Sequence, residues 1–152
     1  MTKQLSPRSR AARGPARKRR AIDKGSADLG GHPLLAEATA FLRNPASGRL
    51  DVKRVAAFYR EPLRRFANAL RISPSAVSQT PDSKRHQVFL LNFERVARIA
   101  PLLKNKTSFS IWAKTPNAEL KGASPVDFLW GSPTKVRALV DAVEDVIVGQ
   151  PD

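Results

Sequence analysis

The chain has 152 residues and an ordinary apolar content, but 27 Lys and Arg stand against 13 Asp and Glu, a net charge of +14. It contains no cysteine, which excludes disulfide frameworks, thiolate zinc sites and cysteine nucleophiles, and its two histidines, His32 and His86, lie too far apart in sequence to suggest a metal site. No apolar run reaches the roughly 18 residues of a membrane span, and the N-terminus lacks the apolar core of a signal peptide, so a cytoplasmic protein is expected.

The charge is unevenly spread: residues 1–31 carry +7, residues 32–110 carry +9 and residues 111–152 carry −2. A basic front suits nucleic acid and a mildly acidic back suits a protein partner. Residues 1–31 hold Arg8, Arg10, Arg13, Arg17, Lys18, Arg19 and Arg20 before the first acid, Asp23, with little apolar surface to bury. Such a segment does not recover its ordering entropy and is expected to be a disordered arm that grips phosphates without sequence preference, or a solubilising extension.

From residue 32 the pattern turns helical. Leu34, Leu35, Ala38, Phe41 and Leu42 share one face of a first helix over 33–42, ended by Asn44-Pro45. A second begins at Asp51 with Val52, Val55, Ala56 and Tyr59 inward, and a third follows Pro62 with Leu63, Phe66, Ala67 and Leu70 aligned.

The spacing of residues 63–80 matches a helix-turn-helix. Ala67 is the small residue at the crossing, Phe66 and Leu70 flank it, Ile72 follows the turn, and Val77 packs back from a second helix started by Ser73-Pro74. In this register Ser75, Ser78 and Gln79 face outward as base-reading positions, with Ser73 at the helix start. Arg64, Arg65 and Arg71 sit near phosphates, joined by Lys84 and Arg85 beyond the second helix. Arg71 occupies the turn position that glycine usually takes and must accept a left-handed backbone, at about 1 kcal/mol. Pro81 cuts the second helix short. A pair of helices kept only for packing is the competing reading.

A long helix is predicted from residue 82 or 83 to 100, with Phe89, Phe93, Val96, Ala100 and Leu103 as its seam and His86 on its surface; Pro101 ends it and a polar loop occupies 104–107. Phe109, Ile111 and Trp112 open the final segment, in which Trp112 and Trp130 are expected to be core or interface anchors. Two helix starts follow. Ser124-Pro125-Val126-Asp127 supplies an N-cap hydroxyl, a first-turn proline and a capping-box carboxylate, and Ser132-Pro133 repeats the first two. Gly131 and Gly149 are read as stops. Between them Val136, Leu139, Val140, Val143, Val146 and Ile147 form one apolar stripe, while Asp141, Glu144 and Asp145 fall on its solvent side and read as a solvated face. No Ser/His/Asp set, Gly-rich phosphate loop or metal-ligand spacing is present, and a binding protein without cofactor or metal is expected rather than an enzyme.

The block of Trp112, Pro116-Asn117, Leu120, Gly122, Pro125, Leu129, Gly131, Val136 and Gly149 resembles the C-terminal toxin-binding domain of the Xre/MbcA/ParS antitoxins, and residues 50–103 look like the helix-turn-helix region that precedes it in those proteins. The resemblance implies an all-α helical bundle with a helix-turn-helix region over 32–107, followed by a small toxin-binding helical module over 108–152. It also implies a type II antitoxin partnered with a RES-class, NAD-consuming toxin whose active-site entrance it covers, and repression of its own promoter. Carried over by position, Trp112, Asn117, Leu120, Gly122 and Pro125 would shape the toxin-binding unit, with Gly149, Gln150, Pro151 and Asp152 nearest the toxin pocket. A homodimer or a hetero-oligomer with toxin is the implied assembly. The spacer around Trp130, Gly131 and Ser132 is shorter than the family pattern, and the basic tail is an addition. A stand-alone DNA-binding regulator or partition-type protein is the alternative, and a tail-driven basic RNA- or nucleoid-associated protein a third.

Overall fold

The computed structural model describes residues 37–103 and 106–149, and the predicted arm at 1–31 lies outside them. The described residues are mainly helical, in keeping with the all-α expectation; the only β feature among them is an isolated antiparallel bridge between Arg43 and Leu50. The helices are α1 (Val52–Tyr59), α2 (Leu63–Leu70), α3 (Pro74–Gln79), α4 (Gln87–Ala97), α5 (Lys106–Lys114), α6 (Pro125–Leu129) and α7 (Pro133–Val148).

Most helix starts are set by side chains that satisfy orphan N–H groups. The Asp51 carboxylate accepts from the backbone N–H of Lys53 (2.8 Å) and Arg54 (3.2 Å). Ser73 accepts from Ala76 at 3.1 Å, and Ser124 and Asp127 complete the predicted capping box of α6. The stops are less conventional. α1, α2 and the 3-10 turn Ala118–Leu120 each end on a non-glycine residue in the left-handed region: Arg60 (φ 53°), Arg71 (φ 56°) and Lys121 (φ 57°). Gly131 and Gly149 do follow α6 and α7, but neither has positive φ.

Four sequence expectations need correction. Of the first helix, residues 33–36 lie outside the described region; after Glu37 and Ala38 the chain tightens into a 3-10 turn, Ala40–Leu42. The long helix is shorter than periodicity suggests. It opens with a 3-10 turn, Lys84–His86, and its α-helical part ends at Ala97, before the 3-10 turn Ala100–Leu103 that contains Pro101. The predicted loop at 104–107 is already helical from Lys106. His86, the last residue of that 3-10 turn, is buried and only 4% exposed.

The core is built around rings. Tyr59, Phe66, Phe93 and Phe109 are fully buried, and the Tyr59 ring meets those of Phe93 and Phe109 edge-on at 5.2 and 5.1 Å. Burial pushes the Tyr59 hydroxyl well above the usual tyrosine range, and it donates to the Phe93 carbonyl at 2.6 Å. Trp130, at the α6–α7 junction, packs on Phe66 (4.9 Å) and Phe93 (5.2 Å), so the C-terminal helices share one core with α2 and α4. From the α7 stripe, Leu139, Val140 and Val143 are buried, Val136 and Ile147 are partly covered, and Val146 remains 46% exposed.

Candidate functional site

Residues 63–79 form two helices, α2 and α3, joined by a short turn. Phe66, Ala67 and Val77 are buried, Phe66 against the rings of Phe89, Phe93 and Trp130, and Ile72 closes the turn with its N–H bonded to the Ala67 carbonyl at 3.1 Å. Arg71 takes the left-handed conformation, and α3 stops at Gln79, before Pro81. This leaves Arg64, Arg71, Ser75, Ser78 and Gln79 exposed, with Lys84 and Arg85 exposed beyond α3.

Two residues assigned to this surface have other partners. The Ser73 hydroxyl caps α3. Arg65 lies with its guanidinium carbon 4.7 Å from the centre of the Trp130 ring and pairs with Glu61 at 3.0 Å, so its charge is largely engaged within the fold. Nothing in helical spacing shows a reader that Trp130 returns to α2.

The C-terminal residues divide in the same way. Trp112 is half-buried against Phe109, with ring centres 5.6 Å apart. Asn117 organises the turn between α5 and α6: its side-chain oxygen accepts from Glu119 at 2.9 Å, and its carbonyl accepts from Leu120 and Gly122 at 3.1 and 2.9 Å. Gly122 takes a positive φ (82°), which glycine adopts without strain, Leu120 is half-buried, and buried Pro125 starts α6. Of these five only Pro125 is buried; Trp112, Asn117 and Leu120 are half-buried and Gly122 is exposed. Gly149 is exposed at the end of α7; Gln150, Pro151 and Asp152 lie outside the described residues.

In the C-terminal segment the residues that present apolar surface are others: Ile111 (62% exposed) on α5, and Val146 and Val148 (83%) on the last turn of α7; Val88 on α4 and Leu102 are exposed as well. Their signal was available, since Ile111 and Val148 fall off the inward stripes of their helices. Asp141 and Asp145 are solvent-facing as expected, but Glu144 is half-buried, 3.9 Å from the Arg95 guanidinium, with its Oε1 lacking a hydrogen-bond partner. A groove of about 520 Å³ beside this pair runs between α4 and α7.

Among the described residues, no group of three or more His, Asp or Glu could hold a metal, and no helix is long and apolar enough to cross a membrane. Comparison of the chain with protein-family models, curated proteins and solved structures found no match.

Proposed function

We propose that this chain is an antitoxin-type binding protein, without enzymatic activity of its own and acting in the cytoplasm. The α2–α3 unit contacts DNA, and the end of α7 contacts a RES-type toxin. The reading rests on the resemblance stated above, and the observation that supports it is the cluster of exposed cations around α3 together with the exposed apolar side chains at the end of α7. Arg64, Arg71, Lys84 and Arg85 are exposed around α3, whereas Val146 and Val148 are exposed at the end of a segment with net charge −2. Exposed cations favour phosphates, and exposed apolar side chains at a helix end favour a protein surface.

One observation favours the alternative of a DNA-binding regulator without a toxin. The inner half of the α7 stripe is covered by the chain's own core, so the fold does not require a partner to bury it.

The deciding experiment is co-expression with the neighbouring toxin gene. Growth rescue by the full chain, lost in Val148→Asp, supports the antitoxin reading. Rescue unaffected by Val148→Asp removes the α7 end as the contact, and absence of rescue by the full chain favours the regulator. The substitution is a cleaner probe than truncation after Val140, which also deletes the buried Val143.

A further inference from the structure

The loop ahead of α1 is stapled to the chain that leaves α3. Val52 N–H donates to the Pro81 carbonyl at 2.9 Å. Leu50 N–H donates to Gln87 Oε1 at 2.8 Å, and Gln87 Nε2 donates back to the Leu50 carbonyl at 3.0 Å. Asp82 accepts the Ser47 hydroxyl and pairs with Arg49 at 3.6 Å. These ties bring Lys53, next to Val52, to the same end of the helix-turn-helix as Lys84 and Arg85, which follow Pro81 by a few residues.

All three side chains are exposed, and none enters an ion pair among the described residues. The acids nearby are already engaged. Asp51 is buried and bonded to two backbone N–H groups, and Asp82 is held ionised, its carboxyl below the ordinary range, first by the Ser47 hydrogen bond and then by Arg49. The net effect is a concentration of unpaired positive charge.

Resting on the DNA-binding reading above, we infer that Lys53, Lys84 and Arg85 form a phosphate clamp at the C-terminal end of α3. It grips the strand of duplex DNA opposite to the one met by Arg71, in the turn ahead of α3. α3 spans six residues, about 9 Å at 1.5 Å per residue. The major groove is about 12 Å wide with a phosphate strand on each rim, so cations at the two ends of this helix fall opposite the two rims. Lys53 is the member that sequence order hides, since it lies outside the helix-turn-helix stretch and reaches α3 only through the Val52–Pro81 and Leu50–Gln87 ties.

The test uses the full chain and a short, fluorescently labelled random-sequence duplex, with binding measured by anisotropy across a salt series. Each phosphate contact removed should flatten the slope of log affinity against log salt by about 0.9. Lys53→Ala and Lys84→Ala should each show that loss, Lys53→Glu should weaken binding further, and Arg137→Ala on α7 should keep the wild-type slope. If the wild-type chain binds no duplex, the DNA-binding reading falls and the clamp with it. If the wild type binds but Lys53→Ala and Lys53→Glu, with unchanged circular dichroism, keep its slope and affinity, the clamp alone is overturned.

Discussion

The guanidinium of Arg65 lies over the ring of Trp130, 4.7 Å from its centre, joining α2 to the junction of α6 and α7. The same ring touches Phe66, Phe89 and Phe93. Arg65 also pairs with Glu61, which is approached in turn by Lys114 of α5 at 3.6 Å. An arginine that sequence position assigns to phosphate therefore fastens the basic half of the protein to its C-terminal half.

Arg65→Ala should lower the free energy of unfolding by about 1–2 kcal/mol, combining a partly desolvated cation–π contact with a screened ion pair. Arg65→Lys should restore only part of that, because an ammonium lacks the planar face that stacks on indole. The neighbouring Arg64→Ala should stay within about 0.5 kcal/mol of wild type, as exposed substitutions do. Urea unfolding of the three variants measures this, and equal losses for Arg64→Ala and Arg65→Ala would contradict the assignment.

A second stabilising tie is the two-pronged pair of Arg43 and Glu94. Arg43 Nε donates to Oε1 at 3.0 Å and Nη2 to Oε2 at 2.7 Å, with the Thr39 hydroxyl donating to Oε1 at 3.2 Å. Glu94 is 2% exposed, so Arg43→Ala strands a buried carboxylate and should cost about 3 kcal/mol, at the low end for buried pairs because Arg43 itself is partly solvated. The double variant Arg43→Met, Glu94→Leu should be less destabilised than Arg43→Ala, since it removes the charge together with its partner. Chemical denaturation of both decides the order.

His86 makes stability depend on pH. Burial, with the adjacent Arg85 cation as a lesser influence, lowers its pKa below the ordinary value of 6.5, and its Nε2 has no hydrogen-bond partner. In this window the unfolded chain binds more protons than the folded one, so the contribution is fully present above about pH 6.5 and is lost as pH falls through the depressed folded value. Thermal unfolding between about pH 7.5 and 5 should show a falling midpoint. His86→Phe should flatten that part of the profile; a His86→Phe profile as steep as wild type would exclude His86 as the source.

The features legible in the sequence are those decided by near neighbours. Ser73-Pro74, Ser132-Pro133, and Ser124-Pro125 with Asp127 start helices because the cap and the N–H it satisfies lie within one turn. Arg71 is left-handed for an equally local reason, the tight turn between α2 and α3. Helix length was less legible. Periodicity carries the α4 seam through Ala100, but the chain leaves α-helical geometry after Ala97.

Hydrophobic spacing and short-range hydrogen bonding thus determined the all-α character, the burial of Phe66, Ala67 and Val77, and the inward stripe of α7. Only the tertiary structure decided which side chains those stripes meet: Arg65 with Trp130, Glu94 with Arg43, buried His86, and Lys53 brought beside the end of α3. A periodic pattern states that a face must be covered, but not by what. The partner is chosen by long-range packing, in which residues far apart in the chain compete for the same surface.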